Sequence, residues 1–371
     1  MRLKRRNSKS RLDGRECALV FAVYMTVSVI LMSRRTTDYP SRLEEKDFDH
    51  VTDSEAIEFL QQLHRNVIFI EPFHGLGNRL RAYACAAAVA KLSNRRLIVV
   101  WIPDAHLNTS FSALFDTTNL TVIDYPVSHL VSKVWPDIKH YDYNVKGGKD
   151  KVLEDTGDAP IYVRSAYVLQ SRTRVGESHI SEQINSLVPS EDVKKITTQL
   201  RVRLGNADAE NLVGIHIRMV ADIEKDVPGI ELITNDHPAS ASHMGPVIRE
   251  RGKCHYKAFL PHIEEFIRRN PGVQFFVASD SVQAIRALRT RYRDRIISND
   301  VESLERCESH LRRTRSCLQL SLAEFLVVGK ESSFLILSAW SSASELIVRF
   351  GRNRVPHKYG CSNERSWFPK M

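Results

Sequence analysis

The sequence predicts an α/β fold of two Rossmann-like doubly wound halves that face a cleft, preceded by a membrane anchor and a stem. Short apolar runs rich in β-branched residues alternate with helix-prone runs, which is typical of parallel sheets covered by helices. A glycine-containing turn joins the first strand to the first helix, and the alternation restarts near Leu212 after a charged stretch at 189–211. A chain of 371 residues is long enough for two domains of ordinary size.

The first half, assigned to residues 66–205, opens with a βαβ unit. Val67 to Ile70 is predicted as a strand, Asn78 to Leu92 as an alanine-rich helix and Arg96 to Ile102 as the next strand. The polar segment 34–65 before it is predicted as a stem with one short helix around Glu55 to Leu63.

The second half, assigned to residues 206–371, alternates more regularly. It opens with a buried strand at Leu212 to Ile217 and a helix whose apolar residues recur on one face. The further predicted elements are the strand Val273 to Ala278, the helix Ser281 to Tyr292, the strand Arg295 to Ile297, the helix Cys317 to Val328, the strand Phe334 to Leu337 and the helix Ser344 to Phe350. Ligands of such sheets bind beyond the carboxyl ends of the strands, so chemistry is expected in the loops there.

The N-terminus carries the signals of a membrane anchor. Residues 1–16 hold seven basic and two acidic side chains, so this cytosolic tail carries +5 of the total charge of +9. The apolar segment 17–33 follows, and a positive flank before a lone apolar segment favours an N-in, C-out anchor. The alternative is a cleaved signal peptide, but Met32-Ser33-Arg34-Arg35 is a poor cleavage site. We expect a single-pass type II protein of the Golgi or endoplasmic reticulum membrane with a lumenal body.

Two further features fit a lumenal body. Asn108 and Asn119 begin N-glycosylation sequons. Cys85 lies in an alanine-rich run and is predicted to be a buried thiol, which leaves four cysteines for two disulfides of open connectivity. These four are Cys254, Cys307, Cys317 and Cys361. Their spacing does not fit a zinc site, so no metal is expected, and the modest charge of the body argues against a nucleic-acid partner.

The first polar loop at a strand end is His74-Gly75-Leu76-Gly77-Asn78-Arg79. Its glycines permit close backbone approach, and the start of the following helix offers unpaired N–H groups to an anion. A purely structural tight turn is the alternative. The GxGxxG spacing of a dinucleotide site is missing.

The second loop follows the strand at Leu212 to Ile217, where alternation places His216 and Arg218 on one face. An arginine there can bind a diphosphate through paired charge-assisted hydrogen bonds, and His216 can orient a substrate. The alternatives are a core salt bridge for Arg218 and a hydrogen-bonded core histidine.

Two more loops carry polar residues at the start of a helix. Asp280 and Ser281 follow the strand ending at Ala278, and either one fits an N-cap. Ser341 and Ser342 follow the last predicted strand, and Ser342 with Glu345 fits a capping box. Capping and phosphate binding are compatible, because both use the helix N-terminus.

Together these motifs resemble the GDP-fucose-dependent fucosyltransferases, a family that includes protein O-fucosyltransferases, the N-glycan core fucosyltransferase and the bacterial nodulation fucosyltransferase. The likeness lies in the loop at 75–79, in His216-Ile217-Arg218, in Ala278-Ser279-Asp280-Ser281 and in the serine pair at 341–342. These motifs span residues 67 to about 350 in the family's order.

The resemblance implies a GT-B fold, a GDP-fucose donor, no metal or other cofactor, and inverting transfer to a glycan or protein acceptor. It implies that Arg218 holds the diphosphate, that Asn78 lies near the reacting sugar, that Asp280 and Ser281 lie near the nucleotide, and that Ser341 and Ser342 lie near the phosphates. The sequence departs from the family at Ala343, where relatives commonly have phenylalanine. A rival serine pair at 332–333 precedes Phe334, so the assignment of the serine pair stays open.

An inverting transfer needs a group that takes the acceptor's proton. Glu71, His74 and Asp222 are the nearby candidates, and Glu71 is preferred because it lies at the end of the first strand. The segment 220–253 is expected to shape the acceptor side. Alternative functions are a glycosyltransferase that uses another nucleotide sugar and a non-catalytic lumenal binding protein of the same fold.

Overall fold

The computed structural model describes residues 51–205, 208–219, 253–308, 313–351 and 354–361. The predicted tail, anchor and most of the stem lie outside these residues, as do Asp222 and nearly all of the segment 220–253. None of the helices in these ranges is long and apolar enough to cross a membrane.

The N-terminal half is a parallel five-stranded sheet with the strand order β3-β2-β1-β6-β4. Its elements are α1 (Asp53–Gln61), β1 (Val67–Pro72), α2 (Leu76–Leu92), β2 (Arg96–Val100), β3 (Thr121–Ile123), α3 (Val131–Val134), β4 (Lys139–Asp142), β5 (Val152–Leu153), β6 (Ile161–Ser165), β7 (Gln170–Ser171), α4 (Glu177–Ser186) and α5 (Glu191–Leu204). Strands β5 and β7 form a separate two-stranded ladder. The predicted βαβ unit is present, whereas the elements between residues 103 and 188 were not predicted, because most of their strands are only two to four residues long.

The C-terminal half repeats this architecture with the strand order β10-β9-β8-β11-β12, again all parallel. Its elements are β8 (Leu212–Ile217), α6 (Leu260–Arg269), β9 (Gln274–Ser279), α7 (Val282–Tyr292), β10 (Ile296–Ile297), α8 (Val301–Glu308), α9 (Arg315–Glu331), β11 (Phe334–Leu337), α10 (Ser342–Phe350) and β12 (His357–Tyr359). In both sheets the first strand of the half lies at the centre. The predicted α/β class with parallel sheets is confirmed.

Within the described ranges the apolar core forms three clusters, and the alternation of the strands decides which cluster each side chain joins. Val67 and Phe69 of β1 face an outer cluster with α1, whereas Ile68 and Ile70 face a central cluster. That central cluster contains side chains of both halves, because α2 packs there together with α9 and α10. The central strands are buried on both faces, as expected of parallel sheets.

Helix α1 corrects the predicted extent of the stem. Its residues Ala56 and Leu60, and Leu63 just after it, are buried against Phe69 and Trp135. Residues from Asp53 onward therefore belong to the packed body, and the expected stem at 34–65 is too long at its C-terminal end.

The cysteines pair as expected in number. Cys254 is bonded to Cys361 and Cys307 to Cys317, while Cys85 is a buried free thiol. Burial raises the pKa of the Cys85 thiol to about 12, so this group is inert as a nucleophile.

Candidate active site

The loop after β1 is shaped by a backbone turn and a buried arginine. His74 has φ of +66°, which turns the chain into the N-terminus of α2. Arg79 donates to the carbonyl oxygens of His74 at 2.9 Å and Ile102 at 2.7 Å and pairs with Asp104 at 2.8 Å. Its guanidinium also lies over the Trp101 ring, and the side chain is only 1% exposed.

Arg79 is therefore a brace for the loop. All three of its guanidinium nitrogens bind protein groups, and the side chain is shielded from solvent. Its guanidinium therefore supports the loop and has no nitrogen left for a ligand in this arrangement.

The starts of α2 and α10 meet at this edge. A Cβ added to Gly77 would lie 2.6 Å from the carbonyl carbon and oxygen of Ser342, so only glycine allows the two helix ends to come this close. Gly75 is different, because a Cβ there would meet nothing within 4 Å. Neither helix start is capped by a side chain. Two uncapped N-termini that converge from different halves form an electropositive site for an anion.

The expected capping box of α10 is absent. Ser341 is the N-cap residue, and the Glu345 carboxylate pairs with Arg81 at 2.8 Å and with Arg349 instead of returning to the helix start. Arg81 and Glu345 belong to different halves, and their side chains are 5% and 11% exposed. This buried pair therefore fixes the two helix starts relative to each other.

Asn78 is oriented by the same pair. Its side-chain oxygen accepts a hydrogen bond from Arg81 Nη2 at 2.8 Å, and Arg81 also donates to the carbonyl of Ala166 at 2.7 Å. With the oxygen held, the Asn78 amide nitrogen is left as the donor that a ligand can meet. Sequence analysis found Asn78 but missed Arg81, although Arg81 lies one helical turn after Asn78.

His216 and Arg218 end β8 as predicted. His216 is 4% exposed, its Nδ1 lies 2.7 Å from the Ser344 hydroxyl, and its ring meets the edge of Phe325. Burial, and secondly the charge of Arg218, lowers the pKa of His216 to about 3. His216 is therefore neutral at physiological pH, and its contact with Ser344 supports the first turn of α10.

Arg218 is partly accessible and oriented by Asp280. The Arg218 backbone N–H donates to the Ser338 hydroxyl at 2.8 Å, and its guanidinium pairs with Asp280 through Nη1. Asp280 also accepts a hydrogen bond from the Met219 backbone at 2.8 Å. The two side chains are 25% and 21% exposed, so this ion pair lies at the edge of the site. The remaining guanidinium nitrogens of Arg218 bind no residue in the described ranges.

The serine assignments are separated by their position on the sheet. Ser341 and Ser342 follow the carboxyl end of β11 at the start of α10, beside Gly77. Ser333 lies at the opposite, amino end of β11, where its hydroxyl donates to the carbonyl of Leu212 at 3.0 Å. The rival pair at 332–333 is therefore on the wrong edge. Ser281 caps α7 by accepting from the Ala284 N–H at 3.2 Å, which is the structural role expected of it.

Glu71 is held at the end of β1 by one hydrogen-bond donor and one ion pair. Its Oε2 accepts from the Tyr162 hydroxyl at 2.7 Å and lies 3.3 Å from Arg164 Nε. Burial, followed by the charge of Glu71, raises the pKa of Tyr162, so the phenol remains a donor. The other oxygen, Oε1, accepts no hydrogen bond from the described residues.

A disulfide braces the turn into α10. The Ala339 N–H donates to Cys361 Sγ at 3.3 Å, and Cys361 is bonded to Cys254. The turn continues through Trp340, whose φ is +58°. The sequence did not give this connectivity, because pairing depends on tertiary proximity.

The chain was compared with known proteins. No protein-family model matches the sequence, and no curated protein is significantly similar to it. The structure is similar to that of the fucosyltransferase NodZ from Bradyrhizobium, with 14% identity and a TM-score of 0.45 over 76% of this chain and 92% of that chain. It is also similar to POFUT1 in complex with GDP, with 14% identity and a TM-score of 0.45 over 80% and 99%.

A third similar structure is Arabidopsis thaliana FUT1 in complex with GDP, with 13% identity and a TM-score of 0.45 over 80% of this chain and 72% of that chain. These structural neighbours are fucosyltransferases, the kind of enzyme that the motifs resemble.

Proposed function

We propose that the protein is an inverting glycosyltransferase that transfers fucose from GDP-fucose to a glycan or protein acceptor. The observation that carries this proposal is the convergence of two uncapped helix starts, Arg218 and the oriented Asn78 amide at one edge of the two sheets. Such a set neutralises a diphosphate without a metal, because helix N–H groups and a guanidinium supply the positive charge. The motif resemblance is what identifies the transferred sugar as fucose and the nucleobase of the donor as guanine.

The same groups favour bond breaking. When GDP leaves, negative charge grows on its terminal phosphate, and fixed donors stabilise that charge more strongly in the transition state than in the bound donor. The Arg81–Glu345 pair and Gly77 keep these donors in place, so little reorganisation is needed.

We assign the proton acceptor to Glu71. Tyr162 and Arg164 fix one carboxylate oxygen, which leaves Oε1 oriented and able to accept the proton of an acceptor hydroxyl. Glu71→Gln is expected to abolish transfer while donor binding remains. Transfer at the wild-type rate by this variant would remove Glu71 from the mechanism.

The purified full-length protein should be tested against a panel of nucleotide sugars without added metal. We expect GDP-fucose and GDP to stabilise it, by roughly 2.7 kcal/mol at 100 times the dissociation constant. Arg218→Lys keeps the charge but loses the fork, so turnover should fall on the order of a hundredfold or more while the melting temperature stays near wild type. Arg268→Lys, at an exposed position on α6, is the matched control.

Other outcomes of this panel decide between the alternatives. If the protein prefers a uridine-diphosphate sugar, that sugar and not GDP-fucose is the donor. If it binds a nucleotide sugar but transfers the sugar to none of the acceptor mixtures tested, it is a non-catalytic binding protein. Early melting of Arg218→Lys with normal transfer at low temperature would make Arg218 a structural residue.

We further propose that the body lies in the lumen of the secretory pathway behind an N-terminal anchor. Two disulfides and the exposed side chains of Asn108 and Asn119 support this location, because disulfides persist in oxidising compartments and glycans need a free surface. Protease should leave the body intact in sealed microsomes. Digestion of the body without detergent would refute the topology.

A further inference from the structure

Arg349, in the last turn of α10, is a buried arginine that was not among the residues predicted from the sequence. Its side chain is 5% exposed, and its guanidinium bridges two carboxylates. Nη1 pairs with Glu345 of the same helix, and Nη2 lies 2.9 Å from Glu177 in the first turn of α4. Burial disfavours the charge of Arg349, but Glu345 and Glu177 outweigh burial and raise its pKa.

Glu345 links this bridge to the candidate active site. Its Oε1 pairs with Arg349, and its Oε2 lies 2.8 Å from Nη1 of Arg81. Arg81 in turn donates through Nη2 to Asn78 Oδ1 at 2.8 Å. Negative and positive side chains therefore alternate from Glu177 near the surface to Arg81 beside Asn78, and this series of ion pairs crosses twice between the two halves.

Arg349 controls how the two oxygens of the Glu345 carboxylate are shared. While Arg349 holds Oε1, only Oε2 is left for Arg81. Nη2 of Arg81 is then available to Asn78 and to the carbonyl oxygen of Ala166 at 2.7 Å. Without Arg349, the carboxylate can bind Arg81 through both oxygens, which is the favoured geometry of such a pair. A fork that engages Nη2 takes this donor from Asn78, so the amide loses its fixed orientation.

We propose that Arg349 is a positioning residue for the transfer reaction, which fixes the direction of the Asn78 amide through two intervening side chains. The inference rests on the proposed function, because it takes the Asn78 amide nitrogen to face the transferred sugar. The orientation of one donor at the reacting sugar matters for turnover, whereas GDP binds to other groups of the site. Loss of Arg349 should therefore lower kcat more than it weakens GDP binding.

Arg349→Met tests the proposal, because methionine fills much of the space without the charge. The remaining buried pair of Arg81 and Glu345 is still neutral overall, and the half-exposed Glu177 carboxylate can be solvated. In the full-length protein, kcat and KM are measured from the GDP released from GDP-fucose, and the dissociation constant of GDP by calorimetry. We expect kcat to fall about ten- to a hundredfold, with KM and the dissociation constant within about threefold of wild type.

Two further variants serve as comparison and control. Arg349→Lys can still pair with Glu345 four residues earlier on α10, so it should recover part of the lost turnover. Arg201→Met removes an ion pair with Glu331 that also joins the two halves, at 2.6 Å, but with an Arg201 side chain that is 51% exposed. Turnover of this control should stay near wild type, because exposed pairs contribute little.

A double-mutant cycle with Asn78→Ala decides whether Arg349 acts through Asn78. If it does, Arg349→Met should lower kcat at most slightly further once the Asn78 amide is gone. If the two losses multiply, or if Arg349→Met only lowers the melting temperature and keeps the wild-type kcat, Arg349 is a structural residue and the proposal is wrong. If Arg349→Met does not fold, the same cycle is measured with Arg349→Lys.

The wild-type protein separates this proposal from the proposed function. If it turns over another nucleotide sugar and not GDP-fucose, the proposed donor is wrong, and the cycle measured with that sugar still decides the role of Arg349. If it turns over no nucleotide sugar, both the proposed function and the positioning role are wrong. If it turns over GDP-fucose and the cycle is additive, only the role of Arg349 is wrong.

Discussion

Gly77→Ala tests whether the close approach of α2 and α10 creates the site. The nearest atoms of Ser342 lie 2.6 Å from where the new Cβ would stand, and ordinary contact begins at 3.4 Å, so the two helix starts must separate by about 0.8 Å. The obstacle is backbone, which cannot rotate away as a side chain can. A misplacement near 1 Å at a catalytic site costs on the order of a hundredfold in rate. Overpacking costs about 1–3 kcal/mol, partly offset by the helix propensity of alanine.

The matched control is Gly75→Ala in the same loop. Gly75 has φ of −70°, and a Cβ there would meet nothing within 4 Å, so alanine should be tolerated. Turnover of GDP-fucose and the dissociation constant of GDP would be measured for both variants, with thermal melts to separate misplacement from unfolding. Equal loss in both variants, or full activity of Gly77→Ala, would show that the contact of the helix starts does not build the site.

Two further predictions concern buried titrating groups. Burial lowers the pKa of His216 from 6.5 to about 3, so between these pH values the imidazole is protonated in the unfolded chain but neutral in the folded protein. The contribution of neutral His216 to folding stability is therefore complete above pH 6.5 and is lost as the pH falls below it. Wild type should therefore lose about 2 kcal/mol more than His216→Gln between pH 7 and pH 5 in urea unfolding, and parallel pH profiles would contradict this. Burial raises the pKa of Glu324 from 4.5 to about 8, so the carboxyl group stays protonated in the folded protein while it ionises in the unfolded chain. The contribution of Glu324 to folding stability is therefore complete below pH 4.5 and is lost as the pH rises towards 8. Glu324→Gln should gain about 3 kcal/mol more at pH 8 than at pH 5, and an equal effect at both pH values would show that Glu324 is ionised in the folded state.

The local pattern of the chain determined where the polar loops lie. Apolar runs that fill buried parallel strands are continuous and short, so the ends of β1, β8, β9 and β11 could be placed within a few residues from sequence. Because parallel strands end on one edge, the polar residues after them were expected together, and Gly77, Ser342 and Arg218 do lie at that edge.

Only tertiary structure decided what each polar side chain does. The residue type does not show what a guanidinium binds: that of Arg79 is bonded to Ile102 and Asp104, whereas that of Arg218 pairs with Asp280 through one nitrogen only, among the described residues. The partner of Arg81 lies 264 positions away, at Glu345, so no local pattern could predict it. The local sequence pattern determines which helix or strand a residue belongs to and where along it the residue lies. Whether its side chain is buried and how its charge is balanced depend on which distant element packs against that helix or strand.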